Sequence, residues 1–95
     1  MNTSFSFLRK TPPEIERQIA ERIRGIRKRR KISQRRLSEL SGVSLGSLKR
    51  FEQSGEISLL SLIKIAIALD ISGELERLFA DVPPLSIEEI INAGN

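Results

Sequence analysis

Between Gln34 and Glu52 two short amphipathic segments are separated by only Gly42-Val43-Ser44, and no feature of the chain restricts its fold more. Each segment starts behind a serine, Ser33 or Ser44, whose side-chain oxygen can cap the free amides of a helix. Gly42 can end the first segment in the left-handed conformation. Leu37 and Leu40 are its inward candidates, while Leu48 and Phe51, three residues apart, are the buried pair of the second. Ser38 is small where two helices joined by so short a turn must approach each other. One helix is thereby held across another, and the second keeps a face free to project.

The flanking sequence supplies the rest of an all-α fold. Thr11 is a helix cap, Pro12 and Pro13 suit the first turn, and Glu14 and Glu16 complement the positive end of the helix dipole. Ile15, Ile19, Ile23 and Ile26 then recur at intervals of four, four and three. They predict one core-facing stripe on a helix lasting to about Arg30. After Ser54-Gly55, Ser58 begins a helix over 59–69 so rich in Leu, Ile and Ala that it reads as surrounded by protein, at the centre of the core. A fifth helix is expected over 73–80, with Leu75, Leu78 and Phe79 as its contacts. Pro83-Pro84 separate it from Ser86-Ile87-Glu88-Glu89, a capping-box pattern ahead of a last short helix ending near Gly94. At the other end, Ser4-Phe5-Ser6-Phe7 alternates like an extended arm. The expected architecture is all-α with five helices: an arm over 1–12, a domain over 13–82 and a tail over 83–95 with a short helix.

Ninety-five residues suffice for one compact domain with one core. The chain has no Cys and no His, which removes disulfides, thiol nucleophiles, imidazole bases and the usual zinc ligand sets. Its acidic residues are not organised with a nucleophile or a phosphate loop, so neither an enzyme nor a metal or cofactor is expected. No apolar run is long enough to span a bilayer, and Met1 to Leu8 is too short and too polar for a signal peptide. A soluble cytoplasmic protein is the expectation. Charge is divided: residues 1–69 hold 15 basic and 6 acidic side chains, whereas 70–95 hold 1 and 6. A basic body joined to an acidic tail suits a chain with one face toward a polyanion.

The stretch Gln34-Arg35-Arg36-Leu37-Ser38-Glu39-Leu40-Ser41-Gly42-Val43-Ser44-Leu45-Gly46-Ser47-Leu48-Lys49-Arg50-Phe51-Glu52 resembles the helix-turn-helix of the lambda repressor, Cro and XRE-type regulators. With its flanking helices the resemblance covers about residues 15–69. It implies that the third helix lies in the DNA major groove and that the second braces it against the backbone. Leu45, Gly46 and Arg50 match the family's base-facing positions. Gln34 matches a phosphate-gripping site at the start of helix two, and Arg27, Ser44 and Gln53 match further backbone contacts. Leu45 and Gly46 cannot make the paired hydrogen bonds that read adenine. Leu45 either touches a thymine methyl or packs at the helix start, and Gly46 only admits close approach. Hydrogen-bonded readout therefore falls on Ser47, Lys49 and Arg50, with Arg50 suited to a guanine edge.

From Arg22 to Arg36 there are nine basic residues and no acidic one; they form either a solvated run or a phosphate-binding surface, and the neighbouring motif favours the second. The implied function is a sequence-specific regulator, a dimeric repressor on a palindromic double-stranded DNA operator. The passage 48–59 also resembles regulators paired with HipA-type toxin kinases, which would make the chain an antitoxin with a toxin partner. The competing reading is a protein-interaction adaptor on the same fold, its basic run meeting an acidic partner.

Overall fold

The computed structural model describes residues 9–92. Six helices follow one another: α1 (Pro12–Arg29), α2 (Gln34–Ser41), α3 (Leu45–Ser54), α4 (Leu59–Ala68), α5 (Ser72–Glu76) and α6 (Ile87–Asn92). The described residues contain no strand, as the all-α expectation requires. The Phe5 and Phe7 arm and the helix end near Gly94 lie outside the described residues.

Four starts follow one chemical rule. Thr11, Ser33, Ser44 and Ser58 each turn a side-chain oxygen onto the amide three residues ahead, satisfying a donor that the helix itself cannot. The stops divide into two kinds. α2 and α3 end on left-handed Gly42 and Gly55, whereas α1 and α4 end on left-handed Lys31 and Asp70. Behind those two, the Ile32 amide donates to the Arg27 carbonyl (3.2 Å) and the Ile71 amide to the Ala66 carbonyl (2.8 Å). Both isoleucines then fold onto the core, the hydrophobic contact that completes this kind of helix end.

Ala20 and Ile23 of α1, Leu37 of α2, Val43 of the turn, Leu48 and Phe51 of α3, Ile65 of α4 and Leu69 at its cap form the buried cluster. α1 packs on α3, α2 on α3 and α4, and α4 on α5. Leu37, Leu48 and Phe51 are thus where the sequence puts them.

Other apolar expectations need correction. Leu40 is 47% exposed, because the eight-residue α2 spends its one inward direction on Leu37. Ile15 and Ile19 are exposed while Ile23 is buried, so the stripe on α1 enters the core only from Ala20 onward. α4 is not surrounded: Ile65 and Ala66 face the core, but Leu59, Leu60 and Ile67 are open. It also packs on α5, which stops at Glu76 rather than Ala80. Leu78 and Phe79 then leave the domain exposed, Phe79 at φ 64°. α6 begins where the capping box predicts, with the Ser86 hydroxyl accepting from the Glu89 amide (3.2 Å) and the Glu89 carboxylate accepting from the Leu85 amide. Its Ile87, Ile90 and Ile91 are exposed as well.

Candidate nucleic-acid interface

The joint between α2 and α3 is fixed by short-range chemistry. Gly42 takes φ 77° and its amide returns to the Ser38 carbonyl at 2.9 Å. The Ser38 hydroxyl donates to the Val43 carbonyl (2.6 Å), and the Ser41 hydroxyl accepts from the Val43 amide (3.1 Å). Val43 itself is buried. Both backbone polar groups of the turn's middle residue are therefore satisfied by α2, and its side chain is driven into the core. Ser38 is small for close approach and also supplies one of these bonds.

α3 is divided lengthwise by the same geometry. Leu48 and Phe51 point inward, and Gly46, Ser47, Lys49, Arg50 and Gln53 are exposed. Ser44, exposed at the cap, accepts from the Ser47 amide at 3.1 Å and donates to the Ser47 hydroxyl at 2.8 Å. Leu45 is half-buried at the helix start, between its two sequence readings. Gly46 has nothing within 4 Å of where a Cβ would stand. No contact among the described residues calls for glycine there, although alanine is the better helix former. Ser44, Gly46, Ser47, Lys49, Arg50 and Gln53 together give an outer face of small or donor-bearing groups.

Arg27 belongs elsewhere, and its reading as an open backbone contact is corrected. Its side chain is 9% exposed and holds the Glu52 carboxylate, itself 2% exposed, through two bonds: Nε to Oε2 at 2.7 Å and Nη2 to Oε1 at 2.8 Å. Nη1 donates to the Ile32 carbonyl at 2.8 Å. Every nitrogen of the guanidinium is thus committed within the fold, and the fork geometry leaves little free to grip phosphate. Half-buried Gln34 donates through Nε2 to Glu52 Oε1 at 3.1 Å, and Arg24 Nε lies 3.8 Å from the same oxygen. One carboxylate therefore ties α3 to both α1 and α2, which fixes how α3 is presented.

Glu52 does not stand out in the sequence beside a run of nine basic residues. The available signal was its position four residues after Leu48, on the same inward side of α3. A charge there requires a buried partner, and an arginine on the helix packed against it is the natural one.

The outer side of α3 carries a second pair: Arg50 Nη2 donates to Glu56 of the α3–α4 loop, with side chains 71% and 55% exposed. Nearby, Arg35, Arg36, Lys28, Arg29 and Arg30 are exposed around α1 and α2, so the buried arginine leaves most of the basic run in solvent. Among the described residues no group of acidic side chains is arranged to hold a metal ion, and no helix is long and apolar enough to cross a membrane.

Compared with known proteins, residues 23–75 match the family model for the helix-turn-helix, from the middle of α1 into α5. No curated protein and no solved structure matches the chain.

Proposed function

The chain belongs to the helix-turn-helix family of lambda repressor/Cro-like, DNA-binding transcription regulators, and from that premise we propose that it is a dimeric repressor reading its operator with the outer face of α3. The division of α3 carries this reading: its apolar and anionic side chains face inward, and its exposed positions hold donors or no side chain at all. Arg50 engages a guanine edge, Ser47 and Lys49 add base or sugar contacts, and Leu45 meets a thymine methyl. Gly46 lets the helix backbone come close. Ser44, Gln53 and the half-buried Gln34 contact the backbone, joined by the exposed arginines of the basic run in place of Arg27.

Dimerisation is supported by a geometric need and by unspent surface. One short helix reads too few base pairs for useful specificity, whereas two-fold related copies read half-sites about 34–36 Å apart. Leu78, Phe79, Leu85, Ile87, Ile90 and Ile91 are exposed in the single chain, and apolar surface of this extent is what subunit contacts cover. A toxin kinase could use the same residues, as the 48–59 resemblance suggests. A second copy is preferred because α6 and the outer face of α4 are both apolar and uncovered in one chain.

Selection from a pool of random-sequence duplexes tests the reading, together with light scattering of the protein alone and with the enriched duplex. A palindromic enriched sequence bound by two chains is expected. Failure to enrich any sequence would favour the adaptor, and enrichment by a monomer would remove the dimer.

A further inference from the structure

Resting on that reading of Arg50, we infer that Glu56 is a specificity-determining residue, which holds the Arg50 guanidinium so that it donates to a base edge in preference to a phosphate.

The placement of Glu56 is built rather than incidental. α3 ends at buried Gly55, φ 85°, where a Cβ would stand 2.6 Å from the backbone carbon of Glu16. The chain can pass this close to α1 only without a side chain, so the loop leaves α3 in one direction. The Ser54 hydroxyl donates to the Arg50 carbonyl (2.7 Å) and accepts from the Glu56 amide (3.2 Å). Glu56 then returns its carboxylate to Arg50 Nη2. Arg50 backbone, Ser54, Glu56 backbone and the ion pair close a ring, beside an open recess lined by Ser47, Ile57, Ser58 and Ser61.

Two consequences follow from the charge. A free arginine on an exposed helix face is long, flexible and attracted to every phosphate alike. Glu56 cancels part of that attraction and repels the backbone itself. A guanidinium has five donors, and one carboxylate on Nη2 leaves others available on a side chain that is largely exposed. A guanine edge offers two acceptors in a fixed plane that suit an arginine already oriented. Because both partners are exposed, the pair is weak enough to yield or shift when the correct base arrives. Glu56 therefore acts mainly against wrong sequences, as repulsive elements commonly do in specific interfaces. An acidic residue in this loop otherwise stands as an unexplained cost to a protein that binds a polyanion.

The test uses the full chain, the duplex enriched from a random pool by the wild type, and a scrambled duplex of equal length at one salt concentration. Glu56→Gln keeps the shape and removes the charge. It should tighten scrambled DNA more than enriched DNA, lowering the specificity ratio about 1.5- to five-fold, the range of an exposed ion pair. Repeating the selection with Glu56→Gln should blur the preferred base at one position per half-site. In an Arg50→Ala background the same substitution should leave the ratio unchanged. An equal gain on both duplexes would mean general repulsion only, and an unchanged ratio, or an equal drop without Arg50, would also overturn the inference. If the wild type enriches no sequence, the proposed function falls and this inference with it; a wild type that enriches a sequence isolates the failure to Glu56.

Discussion

The inner and outer sides of α3 carry the same chemical pair in opposite surroundings. Arg27 and Glu52 are 9% and 2% exposed, and Arg50 and Glu56 are 71% and 55% exposed. Water makes the difference. On the inner side neither ion can be resolvated without opening the fold, so the pair must be complete for the domain to stand. On the outer side each ion already has solvent as an alternative, and exchanging one partner for another costs little. The same two residue types thus give a structural tie in one place and an exchangeable contact in the other. Presenting a helix to DNA uses both, because the outer pair can select only if the inner pair holds α3 still.

The largest expected effect is on the inner side. Arg27→Ala should lower unfolding stability by about 3 kcal/mol, the low end for a broken buried pair, because Glu52 stays buried with only the Gln34 hydrogen bond and Arg24 at 3.8 Å; that is a large share of the roughly 5–15 kcal/mol typical of a domain. Urea denaturation measures it. Pairing Arg27→Met with Glu52→Leu should recover most of the loss, since no charge is then stranded; no recovery would mean that the pair, not the stranded ion, stabilises the fold.

Gly55→Ala comes next. Its left-handed backbone and the contact with Glu16 should cost about 2–4 kcal/mol. A melt indistinguishable from wild type would contradict the account of how the outer pair is positioned.

Smaller effects sharpen the contrast. Gly46→Ala should raise stability by about 0.5 kcal/mol, because alanine favours the helix and nothing among the described residues resists a methyl group there. Affinity for the enriched duplex should nevertheless fall; gains in both would remove close approach as the reason for glycine. Arg50→Ala should leave unfolding stability within about 0.5 kcal/mol of wild type. A larger loss would place the outer pair in the same class as the inner one.

Much of this arrangement is legible in the sequence wherever the cause is local. The caps at Thr11, Ser33, Ser44 and Ser58, the stop at Gly42, and the inward Leu37, Leu48 and Phe51 depend on residues within one or two turns. What escapes is set by distant partners. Arg27 reads as one cation in a run of cations because Glu52, 25 residues away, is brought to it only by the packing of α1 on α3. α4 reads as buried because composition reports how apolar a helix is, not how much chain remains to cover it; Leu59, Leu60 and Ile67 stay open. The spacing of Leu48 and Phe51 leaves the outer face of α3 legible as exposed, and the resemblance alone assigns its base-facing positions. The role of Glu56 is not legible in the sequence, because its link to Arg50 needs the turn at Gly55.

The most direct measurement is the ratio of affinities for the enriched and the scrambled duplex, for wild type and Arg50→Ala at one salt concentration. Readout by α3 predicts that Arg50→Ala lowers this ratio at least about five-fold, the low end of a lost guanine contact, with folding unchanged. Equal ratios for the two proteins would contradict it and reduce Arg50 to a phosphate contact.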